Sequence, residues 1–116
     1  MTRNPLAAAM PEAELQEAVR RLCAGLGLFH YHPLNSKGCA PGWPDSVIIG
    51  RKVIFRELKS AAGRVSAEQQ EVGRRLQQAG ANWRVWRPSD LLSGQIAKEL
   101  TELADTAELF IMKSAG

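Results

Sequence analysis

Two acids and a lysine stand at a spacing that suits metal-assisted chemistry. Asp45 follows Gly42-Trp43-Pro44, and after eleven further residues comes Glu57-Leu58-Lys59. Pro44 biases its predecessor toward extended backbone and so introduces a strand. Asp45 to Ile49 reads as that strand, Gly50-Arg51-Lys52 as a turn, and Val53 to Leu58 as the returning strand of a hairpin. With Arg51 at the apex, position 49 lies opposite 53, 47 opposite 55, and 45 opposite 57. Alternation along a strand then projects Asp45, Glu57 and Lys59 from one face. Two carboxylates held side by side repel unless a cation lies between them. With no soft ligand nearby, a hard cation such as Mg²⁺ suits the pair best. Lys59, one pleat on, can place or deprotonate a water beside it.

The elements around the hairpin decide what else reaches that face. Pro11 is acceptable in the first turn of a helix. Leu15, Val19, Leu22 and Leu26 then recur at helical spacing, and Gly25 and Gly27 end the run. Glu12 shares the inward stripe, whereas Glu14 and Glu17 point away. Glu12 is therefore the helical acid that can reach the hairpin, although an acid here also suits the helix dipole. Leu28 to His32 reads as a short strand and residues 33–44 as a loop. His30, His32 and Lys37 are open to either substrate contact or plain solvation.

Beyond the hairpin, Ser66 and Gln69 stand at capping-box spacing and start a helix with Val72, Leu76 and Ala79 inward. Gly80 ends it, and Arg74 and Arg75 lie on its exposed side. Asn82 to Arg87 reads as a strand, with Trp83 and Trp86 on opposite sheet faces. Core burial is the commoner role for such tryptophans, base stacking the alternative. Pro88 ends the strand, and Ser89 is expected to cap a last helix carrying Leu92, Ile96, Leu100 and Leu103. The order is helix, three strands, helix, strand, helix: an α/β fold with a central mixed sheet flanked by helices. Residues 1–10 are expected as a flexible leader, 11–104 as one domain, and 105–116 as a C-terminal tail. Leu109 to Met112 in that tail is an apolar run that can cover a sheet edge or a partner subunit.

The chain of 116 residues carries 15 Lys and Arg against 12 Asp and Glu. Residues 1–98 hold 14 and 8 of these, residues 99–116 one and four, so the body is basic and the tail acidic. A basic body suits a phosphate-backbone partner, though scattered surface Arg gives the same count. No apolar run is long enough to span a membrane. Met1 to Met10 lacks the apolar stretch of a signal peptide, so a cytoplasmic location is expected. The set Cys23, His30, His32 and Cys39 matches no common zinc spacing, and ordinary helix, strand and loop roles account for all four.

Gly42-Trp43-Pro44-Asp45, Glu57-Leu58-Lys59, Gly63, Ser66-Ala67-Glu68-Gln69 and Ala79-Gly80-Ala81 resemble the VRR-NUC branch of the PD-(D/E)xK nuclease superfamily. Glu12 followed by Gln16 is similar to the first-helix signature of that branch. The resemblance spans roughly residues 12 to 90 and implies a restriction-endonuclease-like α-β-β-β-α-β core. It implies that Asp45, Glu57 and the Leu58 carbonyl hold Mg²⁺ or Mn²⁺, with Glu12 assisting directly or through water. Lys59 would serve the attacking water and Gln69 would approach the site. Lys37, Lys52, Arg64, Arg74 and Arg75 are candidate phosphate contacts. By analogy with stand-alone relatives, the expected activity is endonucleolytic cleavage of branched DNA such as a Holliday junction, by a homodimer. The alternatives are a nicking, restriction-like or RNA-cleaving nuclease, and a nucleic-acid-binding module without activity.

Overall fold

The computed structural model describes residues 4–33, 38 and 40–115, with side chains described as far as residue 105. Its elements are α1 (Pro5–Ala9), α2 (Glu12–Gly25), β1 (Phe29–Tyr31), β2 (Ser46–Ile49), β3 (Val53–Leu58), α3 (Ala67–Gln78), β4 (Asn82–Trp86), α4 (Pro88–Leu92) and α5 (Gln95–Ala115). The strands form one mixed sheet in the order β1-β2-β3-β4. β1, β2 and β3 pair antiparallel, and β4 lies parallel to β3 after the α3 crossover. The fold is therefore α/β, a four-stranded mixed sheet flanked by helices.

The hairpin register is the one expected from an apex at Arg51. Ile49 pairs with Val53 and Val47 with Phe55. Residues paired across strands share a sheet face, so the register divides the sheet cleanly. One face carries Ser46, Ile48, Ile54, Arg56, Leu58 and Trp86, and α2 and α5 cover it. Leu15, Val19 and Cys23 of α2 and Ile96, Leu100 and Leu103 of α5 join Ile48, Ile54, Leu58 and Trp86 in the core. Burial in that core pushes the Cys23 thiol up to about 11.

The other face carries Val47, Phe55, Glu57 and Trp83, and α3 lies across its β3–β4 half. Gly73 fixes this contact: a Cβ there would stand 2.5 Å from the Trp83 ring. The inward residue of α3 is thus this glycine, with Val72 and Leu76 only partly covered and Ala79 exposed. The two tryptophans do occupy opposite faces.

Three boundaries differ from the sequence reading. Residues 5–9, read as part of a leader, form a helix whose N-cap is Asn4, with Ala7 buried. Pro at the first helical position suits it. The last helix is two. Arg87, not Ser89, is the N-cap of α4, with the Asp90 carboxylate accepting from its backbone N–H at 2.7 Å. Gly94 at φ 86° then breaks the path before α5, which leaves Leu92 40% exposed rather than in the core. α5 continues through the expected tail to Ala115. The Leu109–Met112 side chains lie outside the described residues. Among the described residues, no helix is long and apolar enough to cross a membrane.

Candidate active site

β3 alternates Glu57 onto the α3 face and Arg56 and Leu58 onto the α2 face. All three are buried. Asp45 sits one residue before β2, and its carboxylate accepts from the backbone N–H of Leu58 at 2.9 Å. That bond anchors Asp45 to the open end of the hairpin beside Glu57. Gln69, in the first turn of α3, works in two directions. Its Oε1 accepts from the Ser66 N–H at 2.8 Å, closing the capping box, and its Nε2 donates to Glu57 Oε1 at 2.9 Å. The two roles left open from the sequence are both filled by one amide. Lys59 Nζ lies 4.0 Å from the same Glu57 oxygen.

The electrostatics of this cluster are unfavourable as they stand. Glu57 is 1% exposed. Burial, then a hydrogen bond and charge repulsion from Asp45, push its carboxyl up to about 9, against the pull of Lys59. Among the described residues its Oε2 faces no donor, so only the protonated acid can bond to Asp45; Arg56 Nε and Trp83 Nε1 are likewise buried without partners. A buried carboxyl oxygen without a partner is expensive. Glu12, at the start of α2, is also raised, by burial first and then by Asp45, and is lowered in part by Lys59 and His32. It is therefore electrostatically joined to the cluster, while its Oε2 accepts from Gln16 Nε2 at 3.3 Å. Among the described residues, no three His, Cys, Asp or Glu side chains stand together as a ready metal centre. The donor chemistry nevertheless fits a hard cation: oxygen ligands only, an orphaned carboxylate oxygen, and a proton that metal binding would displace.

The phosphate-contact candidates fare unevenly. Arg64 is exposed on the turn after Lys59. Arg74 and Arg75 are exposed on α3, both bound to Glu71, at 2.6 Å and 3.0 Å, and the pair holds the Glu71 carboxyl down to about 2. Lys52 belongs to the β2–β3 turn, at the opposite end of the hairpin from Asp45. Five or six strand residues at ~3.3 Å each separate it from the acids, so the fold does not bring it to them. Lys37 and Cys39 lie outside the described residues.

Arg87, not singled out from the sequence, and the two histidines that were, His30 and His32, support the cluster. Arg87 donates to the carbonyls of Ser60 at 2.7 Å and Gly63 at 2.8 Å, bracing the turn that follows Lys59. His30 Nε2 lies 2.9 Å from the buried Ser46 Oγ. His32 Nδ1 bonds the Asp45 carbonyl, so both histidines contact the start of β2. Burial, with help from His32 and Arg20, lowers the His30 pKa. Arg56, the neighbour of Glu57, is bound on the other face by Glu99 at 2.9 Å and Asn82 at 3.0 Å, over the Trp86 ring. Arg56 was not singled out from the sequence, and its i, i+2 relation to Ile54 and Leu58 is the signal that puts it on the core face.

In comparisons with protein-family models, curated proteins and solved structures, nothing matches the chain. The likeness to the VRR-NUC branch therefore rests on the motif residues, their register and their order in the chain.

Proposed function

We propose that the chain is a metal-dependent endonuclease of the PD-(D/E)xK type, with a restriction-endonuclease-like arrangement of its core, acting on branched DNA. The observation that carries this reading is the buried Glu57 carboxyl held against a second acid, Asp45, with an Oε2 that faces no donor among the described residues. A structural role for these acids does not explain it, because stability alone would favour an amide or an apolar side chain. A cation does explain it, since it neutralises both acids and occupies the free oxygen.

Asp45, Glu57 and the Leu58 carbonyl would hold Mg²⁺ or Mn²⁺, and Glu12, which senses the charge of Asp45, would assist directly or through water. When bound, the ion neutralises charge on the phosphoryl oxygens and lowers the pKa of water. The chain's own residues supply the rest. Gln69 locks the Glu57 carboxylate from one side, so its second oxygen keeps its direction. The ammonium of Lys59, 4.0 Å from Glu57, can orient the attacking water and offset charge that develops in the transition state. Arg64 on the turn and Arg74 and Arg75 on α3 are exposed and would meet backbone phosphates, which fixes register without reading sequence.

One site cuts one strand, so paired cuts at a four-way junction would need two chains in a two-fold arrangement. Labelled linear, flap, fork and four-way DNAs incubated with Mg²⁺, Mn²⁺ or EDTA test the reading. Cleavage of branched DNA that EDTA abolishes is expected. No cleavage of any DNA with either metal would refute it.

A further inference from the structure

A recess of about 420 Å³ opens beside the acids, walled by Pro33, Pro41, Trp43 and Pro44, with Asp45 and Gln69 at one end. Its volume falls within the range of small-ligand sites, roughly 300–1,000 Å³. The wall from Pro41 to Pro44 is rigid. Gly42 adopts φ +85°, and a Cβ there would stand 2.3 Å from the Glu68 carbonyl oxygen, so the loop is pressed onto the first turn of α3. Pro44 is buried. Trp43 meets the Phe55 ring edge-on, with centroids 5.9 Å apart, yet the residue remains 38% exposed. A large aromatic side chain in a recess wall that stays more than a third exposed offers area for stacking.

We propose that this recess receives an unpaired nucleobase, stacked on Trp43, from the nucleotide next to the scissile phosphate. The proposal deepens the nuclease reading and rests on it for the position of the phosphate. Asp45 and Gln69 belong both to the recess and to the acid cluster. A nucleotide whose phosphate lies at Asp45 and Glu57 therefore has its base within reach of Trp43. A paired base cannot enter, because its faces are covered by its neighbours and its edge by its complement. Extrusion from a duplex requires unstacking, which is least costly where the base is already unpaired. The recess thus selects DNA carrying an unpaired nucleotide at the cut, as at a flap, fork or branch point. Stacking is tolerant of sequence, since every base has a π-face.

Binding is measured in EDTA, so that it does not depend on cleavage. Wild type, Trp43→Ala and Trp43→Phe are titrated against labelled flap DNA with unpaired junction nucleotides and against blunt duplex of equal length. Trp43→Ala should bind the flap roughly ten-fold more weakly and the duplex as wild type does, while Trp43→Phe should stay within about three-fold of wild type on both. Equal flap binding by all three proteins, or equal loss on both DNAs, overturns the proposal. Trp43 also braces Phe55, so a second measurement uses the wild-type protein alone. With 2-aminopurine placed in turn at each junction nucleotide, one position should be quenched on binding, and no change at any position overturns the proposal. Cleavage with Mg²⁺ or Mn²⁺ is scored separately. Flap-selective loss without cleavage of any DNA would remove the nuclease reading and keep the recess. Cleavage indifferent to Trp43 would do the reverse.

Discussion

Replacing Glu57 with Gln should stabilise the metal-free protein at pH 7 and remove its response to metal. Burial and Asp45 hold the Glu57 carboxyl at about 9 in the folded chain, against an ordinary value of 4.5. The raised value means that folding takes up a proton between those limits. The associated stability is fully present below about pH 4.5 and is lost as pH rises through about 9. At pH 7 the unfolded acid is ionised and the folded one protonated. At about 1.4 kcal/mol per pH unit, the span from 4.5 to 7 costs up to about 3 kcal/mol. A Gln of nearly equal volume carries no such penalty, and its amide oxygen can still accept from Gln69 Nε2. For a chain of this size the gain corresponds to a rise in Tm of roughly 10 °C.

Metal reverses the ranking. Binding requires the ionised pair and so displaces the proton. Mg²⁺ affinity of the wild type should therefore rise by nearly ten-fold per pH unit between about pH 6 and 8. Thermal melts in EDTA and in saturating Mg²⁺, across that range, provide the assay. A Glu57→Gln protein that melts below wild type in EDTA, or that gains as much from Mg²⁺ as wild type does, would refute the reasoning.

Asp45→Ala and Lys59→Ala should each abolish DNA cleavage, but calorimetry should show metal binding lost only in the first, because Lys59 supplies no ligand. Glu12→Gln should lower the cleavage rate far more than Glu14→Gln, since Glu12 senses Asp45 and Lys59; equal small effects in a gel assay would return Glu12 to a dipole role. Gly73→Ala should destabilise by about 1–2 kcal/mol in urea, because overpacking against Trp83 of roughly 1–3 kcal/mol exceeds the helix-propensity gain of just under 1. Glu99→Ala should cost about 3 kcal/mol by the same measurement, as it strands the buried Arg56 guanidinium.

The acid pair was legible because it depends on two short-range rules. A Pro before Asp45 and a Gly-Arg-Lys turn set the hairpin register, and alternation then assigned faces. Both rules are local, and the observed pairs Ile49–Val53 and Val47–Phe55 follow them. The Ser66–Gln69 cap was legible for the same reason. What the sequence did not disclose depends on contacts between distant segments. The split of the last helix follows from Gly94 and from Arg87 capping α4, where Ser89 was the better cap by residue type alone. The burial of Arg56 is made tolerable by Glu99 and Asn82, 43 and 26 residues away, which no local rule brings to it. The recess beside Trp43 needs the docking of a loop on α3, which no periodicity encodes.

Arg56 and Glu57 together explain why the hairpin can hold two ionisable groups in a buried strand. Adjacent residues of a strand face opposite sides, so their charges are separated by the sheet and cannot neutralise each other directly. Each face must then satisfy its own. On the α2–α5 face Glu99 supplies the opposite charge, Asn82 and Phe55 supply acceptors and Trp86 supplies a π-face, while the Arg56 Nε is left without a partner among the described residues. Burial lowers the Arg56 pKa, but Glu99 works against that shift. On the α3 face the arrangement stops short. Gln69 and Lys59 attend to one oxygen of Glu57, and the other faces no donor among the described residues. A chain that can bring a matching ion pair to one side of β3 has the means to do so on the other. What differs is charge: Arg56 has Glu99 at 2.9 Å, whereas Glu57 has Lys59 only at 4.0 Å and a second acid, Asp45, beside it, and it is there that the proposed nuclease reading puts a cation.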